Sequence, residues 1–269
     1  MTESIETAAE PTAETASAPA GTRVAVLGAR GRMGSEAAQA VRRADGLRLV
    51  AELDAGDSLE ALVDTGAQVV VDFTVPSVTE HNVRFAVEHG IHCVVGTTGW
   101  DDEALDRTRA LLERHEGVGV LIAPNFSIGA VLAMRFSAQA ARFFESVEIV
   151  ELHHPDKVDA PSGTAARTAA LVGQARRAAG LAPSPDATQQ DPDGARGALV
   201  DDVRVHSVRL RGLVAHQETL LGGVGEQLTV RHDSFDRISF MSGVVLGVRR
   251  VGAHPGLTHG LEDYLELDL

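Results

Sequence analysis

Residues 22–34, TRVAVLGARGRMG, set an uninterrupted apolar run against three glycines, Gly28, Gly31 and Gly34. A run without polar alternation suits a parallel strand covered on both faces rather than a strand with one wet face. SEAAQAVRRA, which follows, has helical periodicity, and LRLVAELD at 47–54 reads as a second strand. Residues 22–54 therefore predict strand, glycine turn, helix and strand, a βαβ unit. Parallel neighbours need a crossover, so this feature commits the chain to an α/β architecture.

The alternation continues through AQVVVDFTVP at 67–76, IHCVVGTTG at 91–99 and GVLIAPNFS at 119–127, with helices expected near 79–89 and 102–114. Strands separated by helices imply a Rossmann-like, doubly wound parallel sheet. Past a helix at about 128–143 come the strand ESVEIVELHH, a long helix PSGTAARTAALVGQARRAAG, and a loop at roughly 181–202 rich in Pro, Asp and Gly. VRVHSVRLRGL, VAHQETLLGG and EQLTVRHDS are β-rich runs that read as antiparallel strands of a different sheet. A last helix, DRISFMSGVVLGVRRV, is expected to return to the first domain. The expected organisation is a tail at 1–21, a doubly wound domain at 22–127 to which 238–269 return, and an α+β domain at 128–237 with a mixed or antiparallel sheet.

Composition narrows the function classes. A length of 269 residues accommodates two domains. A net charge of −14 opposes an electrostatic nucleic-acid binder, and no run of about 18 apolar residues offers a membrane span. Cys93, the single cysteine, excludes an internal disulfide framework and fits a reducing compartment, so cytoplasm is expected. Its place inside an apolar strand makes it a buried hydrophobe without chemistry. Residues 1–21 hold four Glu and no Lys or Arg, and lack the basic segment and apolar core of a signal peptide, so they read as a disordered acidic tail.

Gly28, Gly31 and Gly34 follow a strand and open a helix, the setting in which a backbone approaches a pyrophosphate at a helix N-terminus. The spacing departs from GxGxxG; its place after the first strand favours dinucleotide binding over a plain turn. Asp54, closing the second strand, suits the ribose hydroxyls of NADH, whereas Arg30 and Arg32 suit the 2′-phosphate of NADPH. The two signals together imply use of both. GTTG at 96–99 and APNF at 123–126 lie at the carboxyl edge, where open α/β sheets bind ligands.

The second cluster is ELHHPDKVDAPSGTA at 151–165, which contains the only lysine among 24 Lys and Arg residues. Adjacent His153 and His154 point to opposite faces of an extended strand, and neither HExxH nor paired Cys accompanies them, so no metal is expected. Lys157 and one His supply positive charge or protons, and PSGT supplies N–H groups at a helix start capped by Ser162 or Thr164. Such a site takes a carboxylate. Asp159 reads as a turn residue or a partner for Lys157.

EIVELHHPDKVDAPSGTA at 148–165 resembles the signature of the dihydrodipicolinate reductase family at every fixed position. VLGARGRMG, DFTVP, GTTG, IAPNFSIGAV and RHDS extend the resemblance from about residue 22 to the C-terminus. It implies reduction, with NADH or NADPH, of 4-hydroxy-tetrahydrodipicolinate or its dehydrated form to tetrahydrodipicolinate, in the diaminopimelate route to lysine. It also implies a cytoplasmic homotetramer assembled through the sheet of the second domain. Carried over by residue, His153 is the general acid/base, Lys157 the proton donor, and His154, Gly163 and Thr164 bind a small dicarboxylate substrate. Gly28, Ala29, Arg30, Gly31, Arg32, Met33, Asp54, Gly96, Thr97, Thr98, Ala123, Pro124, Asn125 and Phe126 would contact the dinucleotide. Hydride delivery to a conjugated imine leaves a carbanion-like centre needing a proton, which a lysine can donate and an arginine cannot.

Two rivals differ in what they leave unexplained. A dinucleotide-sensing regulator shares the glycine turn but has no use for the HH, K and PSGT cluster. A related dehydrogenase acting on another small acid accounts for both and differs only in substrate.

Overall fold

Strand β1 (Thr22–Leu27) is covered on both sides, with Val24 and Val26 facing one core and Ala25 and Leu27 the other. The computed structural model describes residues 21–266; the acidic tail, apart from Gly21, lies outside the described residues. After β1 come α1 (Arg32–Arg43), β2 (Leu47–Leu53), a short α2 (Glu60–Asp64), β3 (Val69–Asp72), α3 (Pro76–Glu88), β4 (His92–Val95), α4 (Asp102–Leu112) and β5 (Gly119–Ile122). A strand near the chain end, β11 (Gly256–His259), adds beside β5, which the sequence reading did not anticipate. The sheet is parallel throughout, in the order β11-β5-β4-β3-β1-β2. From β1 the chain winds one way to β2 and the other way to β3. Their carboxyl ends therefore splay the following loops apart and open a crevice.

The second sheet takes β6 (Ser146–His153), β7 (Ala198–Val200), β8 (Val203–Arg209), β9 (Ala215–Gly223) and β10 (Glu226–Ser234), in the order β10-β9-β6-β8-β7. β9 runs antiparallel to β6 and β10, but β8 runs parallel to β6, so of the two arrangements expected, mixed or antiparallel, the sheet takes the mixed one. The cause is α6 (Gly163–Ala178), whose crossover returns the chain to the starting edge of β6. β7, inside the expected loop, is too short to show alternation; it turns into β8 through Asp201 and Asp202, both at positive φ as a type I′ hairpin requires. Ala165, Ala169 and Val172 of α6 pack on Val147, Ile149, Val205 and Leu221 of the sheet.

α5 (Ile128–Ala140) leads from the first sheet into the second, its N-cap Ser127 accepting the Ala130 N–H. After β10 a 3-10 turn at Arg237–Phe240 precedes α7 (Met241–Arg250), so the last helix starts later than its apolar pattern implied. Val244 and Val248 of α7, with Leu261 and Tyr264 beyond it, join Val24, Val26 and Val41 in one core of the first sheet.

Candidate active site

The glycine turn is built by close approach. Gly28 has φ +72°, and a Cβ there would lie 2.4 Å from the Phe73 carbonyl oxygen; one on Gly34 would lie 2.0 Å from the Gly28 carbonyl oxygen. Helix α1 can pack this tightly on the turn only without those side chains. Its N-cap, Gly31, offers no side-chain cap, which leaves the first-turn N–H groups for a ligand. Gly28, Gly31 and Asp54 line a crevice of about 780 Å³ over the β1 and β3 ends. Gly31, Arg32, Met33, Gly96, Thr97 and Thr98 line its continuation toward β4. The Asp54 carboxylate accepts the Arg30 N–H at 2.6 Å, which ties the second strand to the turn and leaves lone pairs for a sugar hydroxyl. The donor set and the cavity fit a dinucleotide.

Asp72 was not singled out by sequence. Fully buried at the end of β3, its carboxylate accepts from the Thr74 N–H (2.8 Å) and from Thr74 Oγ1 (2.6 Å), Thr97 Oγ1 (2.9 Å), Asn82 Nδ2 (2.9 Å) and Thr79 Oγ1 (3.2 Å). Five donors replace a counter-ion and join the DFTVP and GTTG loops into one rim.

Below this rim lies the second cluster. His153, the last residue of β6, places Nδ1 2.5 Å from Glu151 Oε2. Glu151 is fully buried; burial alone would raise its carboxyl, but hydrogen bonds from His153, Arg209 and Ser207 overrule that and hold it down to about 2. Arg209 grips both its oxygens, at 2.8 and 2.9 Å, and the Ser162 N–H reaches Oε1 at 3.2 Å. An ionised carboxylate only accepts, so Nδ1 carries the proton and Nε2 is free to exchange one in the pocket that His153 lines with Asn125, Thr164, Gln217 and His232. His216 lines it too but is spent: Nδ1 donates to Asp233 at 2.7 Å and Nε2 accepts the Val214 N–H at 3.2 Å. Burial lowers the pKa of His232, whose Nε2 bonds Ser127 Oγ.

Ser162, not Thr164, caps α6, by accepting the Ala165 N–H. Lys157, in the loop between β6 and α6, is 2.6 Å from Asp159, whose carboxyl that bond lowers. Lys157 and His154 are half-buried and are not part of the His153 pocket lining. Among the expected dinucleotide contacts, the side chains of Ala29, Ala123 and Phe126 are buried in the core, whereas Arg30, Arg32 and Pro124 are exposed. Asn125 lines the His153 pocket, where its amide bonds Thr164. Glu151 was legible in principle, because positions two apart on a strand share a face. Arg209 and Gln217 come from other strands and had no local signal.

Family models described as dihydrodipicolinate reductase, N-terminus and C-terminus, match residues 22–126 and 129–265. The chain belongs to the dihydrodipicolinate reductase family. A 4-hydroxy-tetrahydrodipicolinate reductase of Nocardia farcinica is 64% identical over 245 residues, 91% of this chain and 99% of that protein. One from Streptomyces griseus is 64% identical over 91% of this chain and 98% of its own. Among solved structures, the dipicolinate-bound dihydrodipicolinate reductase of Paenisporosarcina sp. TG-14 superposes with a TM-score of 0.81 at 37% identity, covering 90% of this chain and 99% of that one. Members of the family thus share both halves of this chain.

Proposed function

We infer that the protein reduces 4-hydroxy-tetrahydrodipicolinate, or its dehydrated form, to tetrahydrodipicolinate at the expense of a nicotinamide dinucleotide. The observation that carries the reading is the Glu151–His153–Arg209 cluster at the mouth of α6, in a chain whose relatives bear that reductase name. Residues 22–127, with 238–269, hold the dinucleotide, and residues 128–237 hold the substrate and build a homotetramer. Gly28, Gly31 and the first turn of α1 take the pyrophosphate, and Asp54 with Arg30 and Arg32 admits either NADH or NADPH. The bound cofactor supplies a hydride.

The protein's own groups do the rest. The start of α6, with the Gly163 and Thr164 N–H groups, and Lys157 neutralise a substrate carboxylate, for which Asp159 stands as internal partner in the free protein. Glu151 holds the His153 ring in place with Nδ1 turned toward it, so His153 Nε2 exchanges protons at a fixed point, while Lys157 donates to the carbon left electron-rich by reduction. The work is done in the cytoplasm. The test is a coupled assay with the freshly made condensation product of pyruvate and aspartate semialdehyde. Loss of NADH or NADPH absorbance that requires this product supports the reading; oxidation that ignores it, or none, removes it.

A further inference from the structure

The Asn125 amide stands where the two halves meet. Its Oδ1 accepts the Ser127 N–H at 2.8 Å, and its Nδ2 lies 3.0 Å from Thr164 Oγ1. A backbone N–H can only donate, so the atom facing it is the amide oxygen, and the nitrogen must face Thr164 as donor. A threonine hydroxyl has two lone pairs and one proton. Asn125 occupies a lone pair, so the proton points elsewhere. Inside a helix such a proton commonly goes to the carbonyl four residues back, as Thr168 does to the Thr164 oxygen at 2.8 Å. Thr164 is the second residue of α6 and has no helical carbonyl behind it. Its proton is left for the pocket that Asn125, Thr164 and His153 line together.

We propose that Asn125 is a positioning residue that locks the Thr164 hydroxyl as a donor toward a substrate carboxylate. The proposal rests on Thr164 being a substrate ligand. It moves the Asn125 side chain from the cofactor to the substrate, through an amide anchored on the buried N-cap of α5. A residue at the edge of the first sheet thereby sets a contact made by the second half. A ligand carboxylate is offered a hydroxyl already turned to donate, and no rotor has to be ordered on binding.

The test uses dipicolinate, a stable aromatic dicarboxylate, titrated calorimetrically into the full chain. Thr164→Val is expected to bind it about tenfold more weakly, the loss of one hydrogen bond to a charged group. Asn125→Ala is expected to lose about threefold, and the double variant to bind no more weakly than Thr164→Val alone, because both remove the same interaction. Asn125→Asp keeps the size and the acceptor for Ser127 but must take the Thr164 proton itself. It is expected to fall at least as far as Thr164→Val with an unchanged thermal midpoint; binding near the wild-type value would reduce Asn125 to a structural support and overturn the proposal. Additive losses in the double variant overturn it too, as does an Asn125→Ala variant that weakens NADH while leaving dipicolinate untouched. Wild-type affinity in Thr164→Val removes Thr164 from the ligand set and overturns both this proposal and that part of the reading beneath it. Should Asn125→Ala fail to fold, Asn125→Asp decides alone.

Discussion

Lys157 and Glu151 each face a charged partner, Asp159 for the lysine and Arg209 for the glutamate. Replacing Lys157 by Arg keeps the charge beside Asp159 and removes the transferable proton, so single-turnover hydride transfer is expected to fall by roughly 10²–10⁴ with dipicolinate affinity largely kept. A rate near wild type would make Lys157 an electrostatic anchor only. Glu151 gives a pH prediction with a definite sign. Its carboxyl falls from an ordinary 4.5 to about 2 in the folded protein, so its stabilisation is complete above about 4.5 and drains away as pH falls toward 2. Glu151→Gln presents an amide N–H₂ to groups that are all donors, and is expected to cost on the order of 3 kcal/mol at neutral pH. Chemical denaturation at several pH values should show the variant and wild type converging between pH 4.5 and 2; a constant gap would mean the carboxylate is not what stabilises the fold. Glu151 was within reach of sequence reasoning, through its E-x-H spacing, but its partner Arg209 lies 58 residues away.

At the scale of elements, the turn from β1 to α1 and the loop after β2 form one unit, joined by the Arg30 N–H bonded to Asp54. Arg30 and Arg32 are exposed in this unit, and the Asp54 carboxylate itself disfavours a 2′-phosphate. Arg30→Ala with Arg32→Ala is expected to raise the Michaelis constant for NADPH about tenfold more than that for NADH, since only NADPH brings the extra phosphate. Steady-state kinetics with both cofactors measure this, and equal effects would place the arginines on the shared pyrophosphate. The glycine turn was readable because its requirement is local, a left-handed φ at Gly28 and a strand–helix contact at Gly34. The parallel direction of β8 was not, because strand direction depends on where α6 and the following loop deliver the chain.

Across the whole molecule, the chain's end completes its beginning: β11 extends the first sheet beyond β5, and Tyr264 is fully buried in the core that Val24 and Val26 began. Tyr264→Ala is expected to cost about 3–5 kcal/mol, as aromatic truncations in cores do, and to lower the thermal midpoint of the dinucleotide-binding half. A midpoint within a degree or two of wild type would show that the C-terminal segment packs without stabilising that half. Alternation of apolar runs with helical periods was enough to determine the α/β class, and the glycine spacing after the first strand was enough to determine the turn, because each depends on neighbours within about a turn or a strand; that His153 lines the pocket while Lys157 stands outside its lining could not be read from their spacing. Tertiary structure alone decided the mixed order of the second sheet, the five-donor cradle around Asp72, the Arg209 grip on Glu151 and the Asn125–Thr164 bridge. The Asn82–Asp72, Asn125–Thr164 and Arg209–Glu151 bonds join residues 10, 39 and 58 positions apart, and a hydrogen bond between distant residues leaves no period in the sequence; only the packing of strands and helices against one another brings donor and acceptor to within about 3 Å.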